Sequence, residues 1–339
     1  MGPKVFIALD RTHTMQLNPK SAAWLRSLLL HHYRIPRHPF FRPPLLVRLF
    51  LLKESVRTDS FIRQFGKENL AHLVRFGFAE EKNGRLHPQV KIAHFHDLFL
   101  VADTHRGKDF VYIGRDSFLL ANHLRHALHG KKYAHALDLG CATGIQALSI
   151  APFCKKITAV DINPRAVEYT RFSSMLNSIR NASVSRSNLF KNLKNKKFDL
   201  IVANPPFVFL PADEHARNRD GHGGRQYGME IPFRILREVP KHLSEKGDFY
   251  MISGSPIVQG RNLLLEQLKN LGWGAMEARE LRHFVYREFH RFHATHGIGH
   301  SILYIVHIKK GPASLHLKKQ PLWKRLYDRL EMRAVRTLY

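Results

Sequence analysis

Apolar positions along this chain follow two different rhythms. From about Lys132 onward, short apolar runs recur between polar, helix-forming stretches: Ala134–Leu139, Ile157–Asp161, Ala182–Ser185, Phe198–Ala203, Gly247–Gly254 and Ser301–Ile308 each read as a strand. Strand and helix alternating in this order imply a parallel sheet covered on both faces. One boundary is sharp. Asn163 is a good N-cap, Pro164 suits the first helical position, and Tyr169, Phe172, Leu176 and Ile179 follow at spacings of three and four, so this helix packs one face on the sheet.

Before that point the pattern changes. Ser21–Tyr33, Pro44–Glu54 and Asp59–Phe76 read as helices, with Pro36, Pro39, Pro43 and Pro44 breaking the chain between the first two. Phe78–Leu86 then has the strand, Asn83-Gly84 turn, strand look of a hairpin. Helices followed by a hairpin suggest a winged-helix-like module. Arg63, Lys67 and Arg75 on the third helix suit a nucleic-acid contact and suit a solvated face equally well. The expected organisation is a mainly helical, winged-helix-like substrate-recognition domain over 1–108, an α/β domain over 109–311, and a basic C-terminal helix over 312–339. In that last segment Leu322, Trp323, Leu326, Tyr327 and Leu330 lie among lysines and arginines. Such a helix docks on the body of the protein or touches RNA or a membrane surface.

The chain has 339 residues, enough for a full α/β core plus a smaller domain, and 44% apolar content excludes general disorder. Cys141 and Cys154 cannot build a disulfide framework, the first residues lack the apolar stretch of a secretory signal, and no run is apolar enough to span a membrane. A cytoplasmic setting is therefore expected. The formal net charge is +27, spread along all three regions. RNA or a ribosomal particle is the natural partner of such a field.

Candidate chemistry sits at the strand ends. After the first α/β strand comes Asp138-Leu139-Gly140-Cys141-Ala142-Thr143-Gly144, running straight into a helix. Glycines there let the backbone approach a ligand in the crevice outside the strand's carboxyl end. The spacing is not that of a dinucleotide loop, and no Lys-Ser/Thr follows as in a phosphate loop, which favours a nucleoside cofactor without a pyrophosphate. Asp161 closes the next strand, where an acid can take ribose hydroxyls. Asp138 is placed to meet the cationic amino-acid end of S-adenosylmethionine.

Asn204-Pro205-Pro206-Phe207 directly follows the run Phe198–Ala203. If the Asn204 amide oxygen and the Pro205 carbonyl each accept one N–H from a planar amino group, they stabilise the pyramidal, charge-bearing transition state of methyl transfer more than the flat ground state. Phe207 would then stack on the target plane.

Together, Asp138–Gly144, Asp161 and Asn204–Phe207 resemble the motifs of class I S-adenosylmethionine-dependent methyltransferases, in the branch that methylates planar nitrogens. That branch includes release-factor and ribosomal-protein glutamine methyltransferases and N-methyltransferases of RNA and DNA bases. The resemblance covers roughly 110–308 and implies a Rossmann-like, doubly wound sheet with S-adenosylmethionine as cofactor. It also implies a cofactor site at Asp138, Gly140, Cys141, Ala142, Thr143, Gly144, Asp161, Ile162 and Asn204, with Asn204, Pro205, Pro206 and Phe207 as the catalytic set. Tyr112–Ser117 resembles the upstream motif that closes over the methionine part, which adds Ser117. Ser187–Phe190 is similar to the family's Asp-Leu-Phe turn near the adenine, which adds Asn188 and Leu189, with Asn188 in place of the usual acid. Ala142 stands where the family more often has glycine, which is tolerable if its φ is negative.

The leading expectation is an N-methyltransferase acting on an exocyclic base amino group of RNA or on a ribosome-linked target. The rival is a protein-glutamine N5-methyltransferase, and a third reading is an inactive nucleic-acid-binding module. Two further features bear on the site. The loop Asp213–Gly228, with Arg217, Arg219 and Arg225 among Gly221, Gly223 and Gly224, reads as a mobile substrate lid. His290, His293, His296 and His300 have no thiolate or acid at ligand spacing, so no metal is expected there.

Overall fold

A computed structural model describes residues 6–9, 13–33, 43–104, 109–215, 221–284 and 287–319. The chain opens with a short antiparallel ribbon, Phe6–Leu9 with His13–Gln16. Helix α1 (Pro19–His32) follows, started by an Asn18 capping box with Ser21. Where a helix over Pro44–Glu54 was expected, a π-helical turn, Val47–Leu51, buries all its residues but Arg48. Helix α2 (Thr58–Arg75) spans the expected third helix but breaks at Gly66, whose φ of 84° and ψ of 163° interrupt the hydrogen-bond ladder.

Strands β1 (Ala79–Lys82) and β2 (Arg85–Pro88) form the expected hairpin. Its turn residues Asn83 and Gly84 both have positive φ (52° and 69°), the type I′ geometry that matches strand twist. The strand Val56–Arg57 adds to the free edge of β2.

A second hairpin, β3 (Val90–Phe95) with β4 (Leu98–Asp103), joins this module to the rest. Every residue of β4 is buried. Phe99 and Val101 face one core with α1 and α2, whereas Leu98, Leu100 and Ala102 face another with helix α3 (Arg115–Ala127).

The large sheet has nine strands. Five run parallel in the order β7 (Ala182–Arg186), β6 (Cys154–Asp161), β5 (Tyr133–Leu139), β8 (Phe198–Ala203), β9 (Leu243–Val258). Two antiparallel strands continue it, β11 (Ile298–Lys309) then β10 (Ala275–Phe284), and β12 (Ser314–Lys319) closes the edge parallel to β10. The remaining strand is Arg261–Asn262, paired with β9.

Ala136, Leu200 and Val202 point towards α3 and α4 (Ile145–Ile150), and Leu137, Ile201 and Ala203 towards α6 (Glu230–His242) and α7 (Leu263–Lys269). Alternate residues thus serve opposite helical layers, the period-2 consequence of a pleated strand. This is the doubly wound α/β fold. Because β5 lies between β6 and β8, the chain leaves it in opposite directions, which opens a crevice at its carboxyl end.

Two expectations change here. Residues 314–319, inside the segment expected to be helical, form an edge strand paired with β10. The rest of the expected tail helix, Pro321–Tyr339, lies outside the described residues.

Helix α5 (Pro164–Leu176) has a second duty besides covering the sheet. Its Ala166, Tyr169, Phe172 and Leu176 share a core with Leu25, Phe78 and Phe99 of the N-terminal module. The outer edge of β4 would expose unpaired backbone groups, but Ser173 and Asn177 satisfy them: Val101 N–H donates to Ser173 Oγ at 3.2 Å and Phe99 N–H to Asn177 Oδ1 at 2.9 Å. Arg26 of α1 donates to the Leu176 carbonyl at 3.0 Å, capping the end of α5.

Candidate active site

The crevice is built on the turn between β5 and α4. Gly140 and Cys141 donate their N–H groups to the Val160 carbonyl of β6 at 2.8 and 3.0 Å, which folds the turn across the strand end. Gly140 and Gly144 have φ of 76° and 87°. Ala142 is also left-handed, at φ 46°, against the negative φ that would make a side chain comfortable there. That conformation costs about 1–2 kcal/mol for a non-glycine residue. Two hydrogen bonds hold it: Ala142 N–H donates to Asp161 Oδ2 at 3.0 Å, and Thr170 Oγ1 donates to the Ala142 carbonyl at 2.9 Å.

Asp138 is fully buried at the end of β5. One carboxylate oxygen accepts from Ala147 N–H at 3.0 Å; the other is buried without a partner. Burial pushes the Asp138 pKa up to about 7, against the Ala147 hydrogen bond and with help from the nearby Asp161 charge. Asp161 is pinned on both oxygens, by Asn163 N–H at 2.9 Å and Ala142 N–H at 3.0 Å. Burial raises its pKa, and these N–H donors oppose the rise. Beside it Ile162 is 54% exposed, an apolar side chain left open after the second acid.

Cys141 and Thr143 point into the protein. The Cys141 sulfur receives the Thr170 hydroxyl at 3.3 Å, and burial raises its pKa. The contribution of these two residues to the crevice is therefore through backbone. On the other side of Asp161, Asn188 is exposed and Leu189, at φ 49°, packs on the core below.

Asn204 lies at the carboxyl end of β8, next to the start of α3. Its Nδ2 donates to Asp116 Oδ2 at 2.8 Å and to Ser117 Oγ at 3.0 Å. A carboxylate only accepts, so Asp116 fixes which way the amide faces. The consequence is an Asn204 Oδ1 that is buried, has no partner and is presented as an acceptor. Pro205 is buried, while Pro206 and Phe207 are half-buried. The Phe207 ring packs on the backbone of Gly254, where a Cβ would lie 2.7 Å from it.

The site thus brings together Asp138, the Gly140–Gly144 turn, Asp161, Ser117 and Asn204. Asp116 was absent from the residues singled out in sequence. Its signal lay one position before Ser117: an acid in the first turn of a helix, beside a glycine that lets the carboxylate curl back. A Cβ on Gly114 would meet Asp116 Oδ1 at 2.3 Å.

The expected lid does not behave as one where it is described. Residues 216–220, with Arg217 and Arg219, lie outside the described residues. The part that follows is tied to the segment after Phe207: Val208 N–H donates to the Gly221 carbonyl at 2.7 Å and Gly223 N–H to the Val208 carbonyl at 2.9 Å. Gly223 is a packing glycine rather than a hinge, since its Cβ would sit 1.8 Å from the Gly228 carbonyl. Arg225 pairs with Glu230. Of the histidines, the His293 ring nitrogen Nε2 bonds the Phe209 carbonyl at 2.8 Å, and no metal-holding group of three His, Cys, Asp or Glu occurs among the described residues.

Comparison with known proteins agrees with this geometry. The family model "Methyltransferase small domain" matches residues 112–276. A protein from Methanocaldococcus jannaschii named "Putative protein N5-glutamine methyltransferase MJ0928" is 34% identical over 162 residues, covering 47% of this chain and 78% of the relative. A ribosomal protein uL3 glutamine methyltransferase from Xanthomonas campestris is 30% identical over 35% of this chain and 42% of the relative. Ribosomal RNA small subunit methyltransferase C from Klebsiella pneumoniae is 29% identical over 35% of this chain and 31% of the relative. The chain thus spans most of the first and less than half of the other two.

Proposed function

This chain belongs to the class I S-adenosylmethionine-dependent methyltransferases, and from that premise we propose that it methylates a planar amino nitrogen held by Asn204. The single observation that carries the reading is the Asn204 amide, donor side engaged by Asp116 and Ser117, acceptor side buried and unpartnered. An unsatisfied buried acceptor is costly, and a substrate N–H relieves it.

The crevice suits the cofactor. Asp138 has a free, buried carboxylate oxygen for a cationic amino group, Asp161 retains lone pairs for ribose hydroxyls, and exposed Ile162 offers an apolar face to an adenine. The cofactor, when bound, supplies an electrophilic methyl that needs no further activation. The chain's work is placement. Asn204 Oδ1 and the Pro205 carbonyl accept the two N–H bonds of the target, and their pull grows as the nitrogen becomes pyramidal and positive. No general base is needed beforehand, because the proton leaves a nitrogen that has become strongly acidic.

The target we favour is an exocyclic amino group of an RNA base, alone or within a ribosomal particle, because a chain of net charge +27 attracts polyanions. The cytoplasm is the setting this implies; no helix among the described residues is long and apolar enough to cross a membrane. A protein glutamine is the second reading, favoured by the names of two relatives. Asn204→Ala tests the site: single-turnover transfer should fall sharply while cofactor affinity is retained, and equal loss of both would refute the assignment. Labelled cofactor incubated with extract from a strain lacking the protein, followed by nuclease or protease, tests the target. Label that resists nuclease but not protease selects glutamine.

A further inference from the structure

Just past the Asn204 motif, on the carboxyl-end side of the sheet, lies a small cleft whose walls are aromatic. Phe207, Phe209, Tyr227 and Phe284 line it with Pro256 and His293. The four aromatic residues are part-exposed, whereas Pro256 and His293 are buried. The rings of Phe209 and Tyr227 are 5.6 Å apart and inclined at 59°.

This arrangement is built rather than incidental. Gln226 and Tyr227 are consecutive non-glycine residues with left-handed φ of 57° and 56°, a conformation that persists only where the surroundings impose it. They are imposed from both ends. Arg225 N–H donates to Glu230 Oε2 at 2.9 Å, and Gly228 sits so close to the segment after Phe207 that a Cβ would lie 2.7 Å from the Phe207 carbonyl oxygen. His293 fixes the Phe209 carbonyl from a third side.

No carboxylate and no side-chain amide lines the cleft, and the His293 Nε2 is already engaged with Phe209. A peptide entering here would leave its backbone N–H and C=O groups without partners. A nucleobase differs: its faces are apolar and its polar groups lie on the edge. Stacked in the cleft, it can turn that edge towards Asn204, three residues before Phe207. The net charge of +27 favours the phosphates it carries along.

We propose that this cleft stacks the acceptor itself, an unpaired base of RNA, and that Phe209 and Tyr227 set the preference for a base over a glutamine. The proposal rests on the N-methyltransferase reading given above. The test compares the binding, in the presence of S-adenosylhomocysteine, of a fluorescent unstructured oligoribonucleotide carrying A, C and G at its centre with that of the same oligomer made abasic there. Both carry the same phosphates, so only contacts to the bases separate them. The intact oligomer is expected to bind about tenfold tighter or more, as stacking on aromatic side chains gives. Tyr227→Leu and Phe209→Leu should each bring it down to the abasic level without changing abasic binding, and Tyr227→Phe should restore the difference.

Equal binding of intact and abasic oligomers by the unaltered protein overturns the proposal, and needs no variant to fold. So does tight binding of a capped glutaminyl peptide that the leucine variants leave unchanged. If instead the protein fails to bind S-adenosylmethionine, or Asn204→Ala transfers methyl as fast as the original, the underlying reading has failed. A near-unity abasic ratio with the Asn204 result intact removes only the role of the cleft.

Discussion

Asp116→Ala is the substitution that separates orientation of the Asn204 amide from its mere presence. With Asp116 in place, the 2.8 Å bond from Nδ2 to a carboxylate oxygen forces Oδ1 to face the opposite way. Without it only Ser117 remains, and a hydroxyl can donate as well as accept, so the amide can turn over and present N–H where the substrate needs an acceptor. The loss is that of one hydrogen bond to a charged group, about 1.5–3 kcal/mol. If that energy set the fraction of correctly turned amides, turnover would drop roughly 10- to 150-fold, at about 1.4 kcal/mol per tenfold. The assay is single-turnover transfer from labelled cofactor, alongside calorimetric titration of the cofactor. Asp116→Asn keeps an acceptor oxygen and should retain more activity than the alanine variant. Turnover within twofold of the original, or an asparagine variant no better than alanine, would refute the reasoning.

Three further outcomes are expected. Asp138 ionises near 3.8 in an unfolded chain but near about 7 when buried, so its contribution to stability is present below about pH 4 and lost as the pH rises through about 7. Melting curves of Asp138→Asn should therefore depend less on pH across about 5 to 8 than those of the original, and parallel dependences would count against the buried acid. Gly223→Ala places a Cβ 1.8 Å from the Gly228 carbonyl and should destabilise by about 1–3 kcal/mol, read as a fall of several degrees in melting temperature. Cofactor affinity should weaken in Ile162→Ser, because the exposed apolar face is lost while Asp161 stays pinned; unchanged affinity would exclude an adenine contact there.

Much of the site was legible because its signals are local. Gly140, Gly144, Asp161 and Asn163-Pro164 mark strand ends and a helix start, and the structure places them as the spacing implied. The Asn83-Gly84 turn was legible for the same reason. What escaped depends on partners distant in sequence. Asp116 acquires its role only because β8 ends beside α3. Strand β10 hides its alternation behind charges: Met276 and Ala278 are buried, but Glu280 is buried as well, and a register shift follows it. Glycines read as hinges in 221–228 turned out to be close-packed, a distinction that depends on what each faces. Ala142 went the same way, since its positive φ is set by hydrogen bonds to Asp161 and Thr170 rather than by its own preference.

The double-sided burial of β4 bears on how this protein can be taken apart or recombined. A fragment beginning after the second hairpin would strip α5 of the cover on Tyr169 and Phe172 and leave Ser173 and Asn177 with no strand to complete. Grafting the N-terminal module of one relative onto the sheet of another would have to carry the outward face of α5 with it. The wing and Asn204 are therefore inherited as one rigid unit, and any change in reach between them must come from the wing itself or from the loops, not from a linker growing longer.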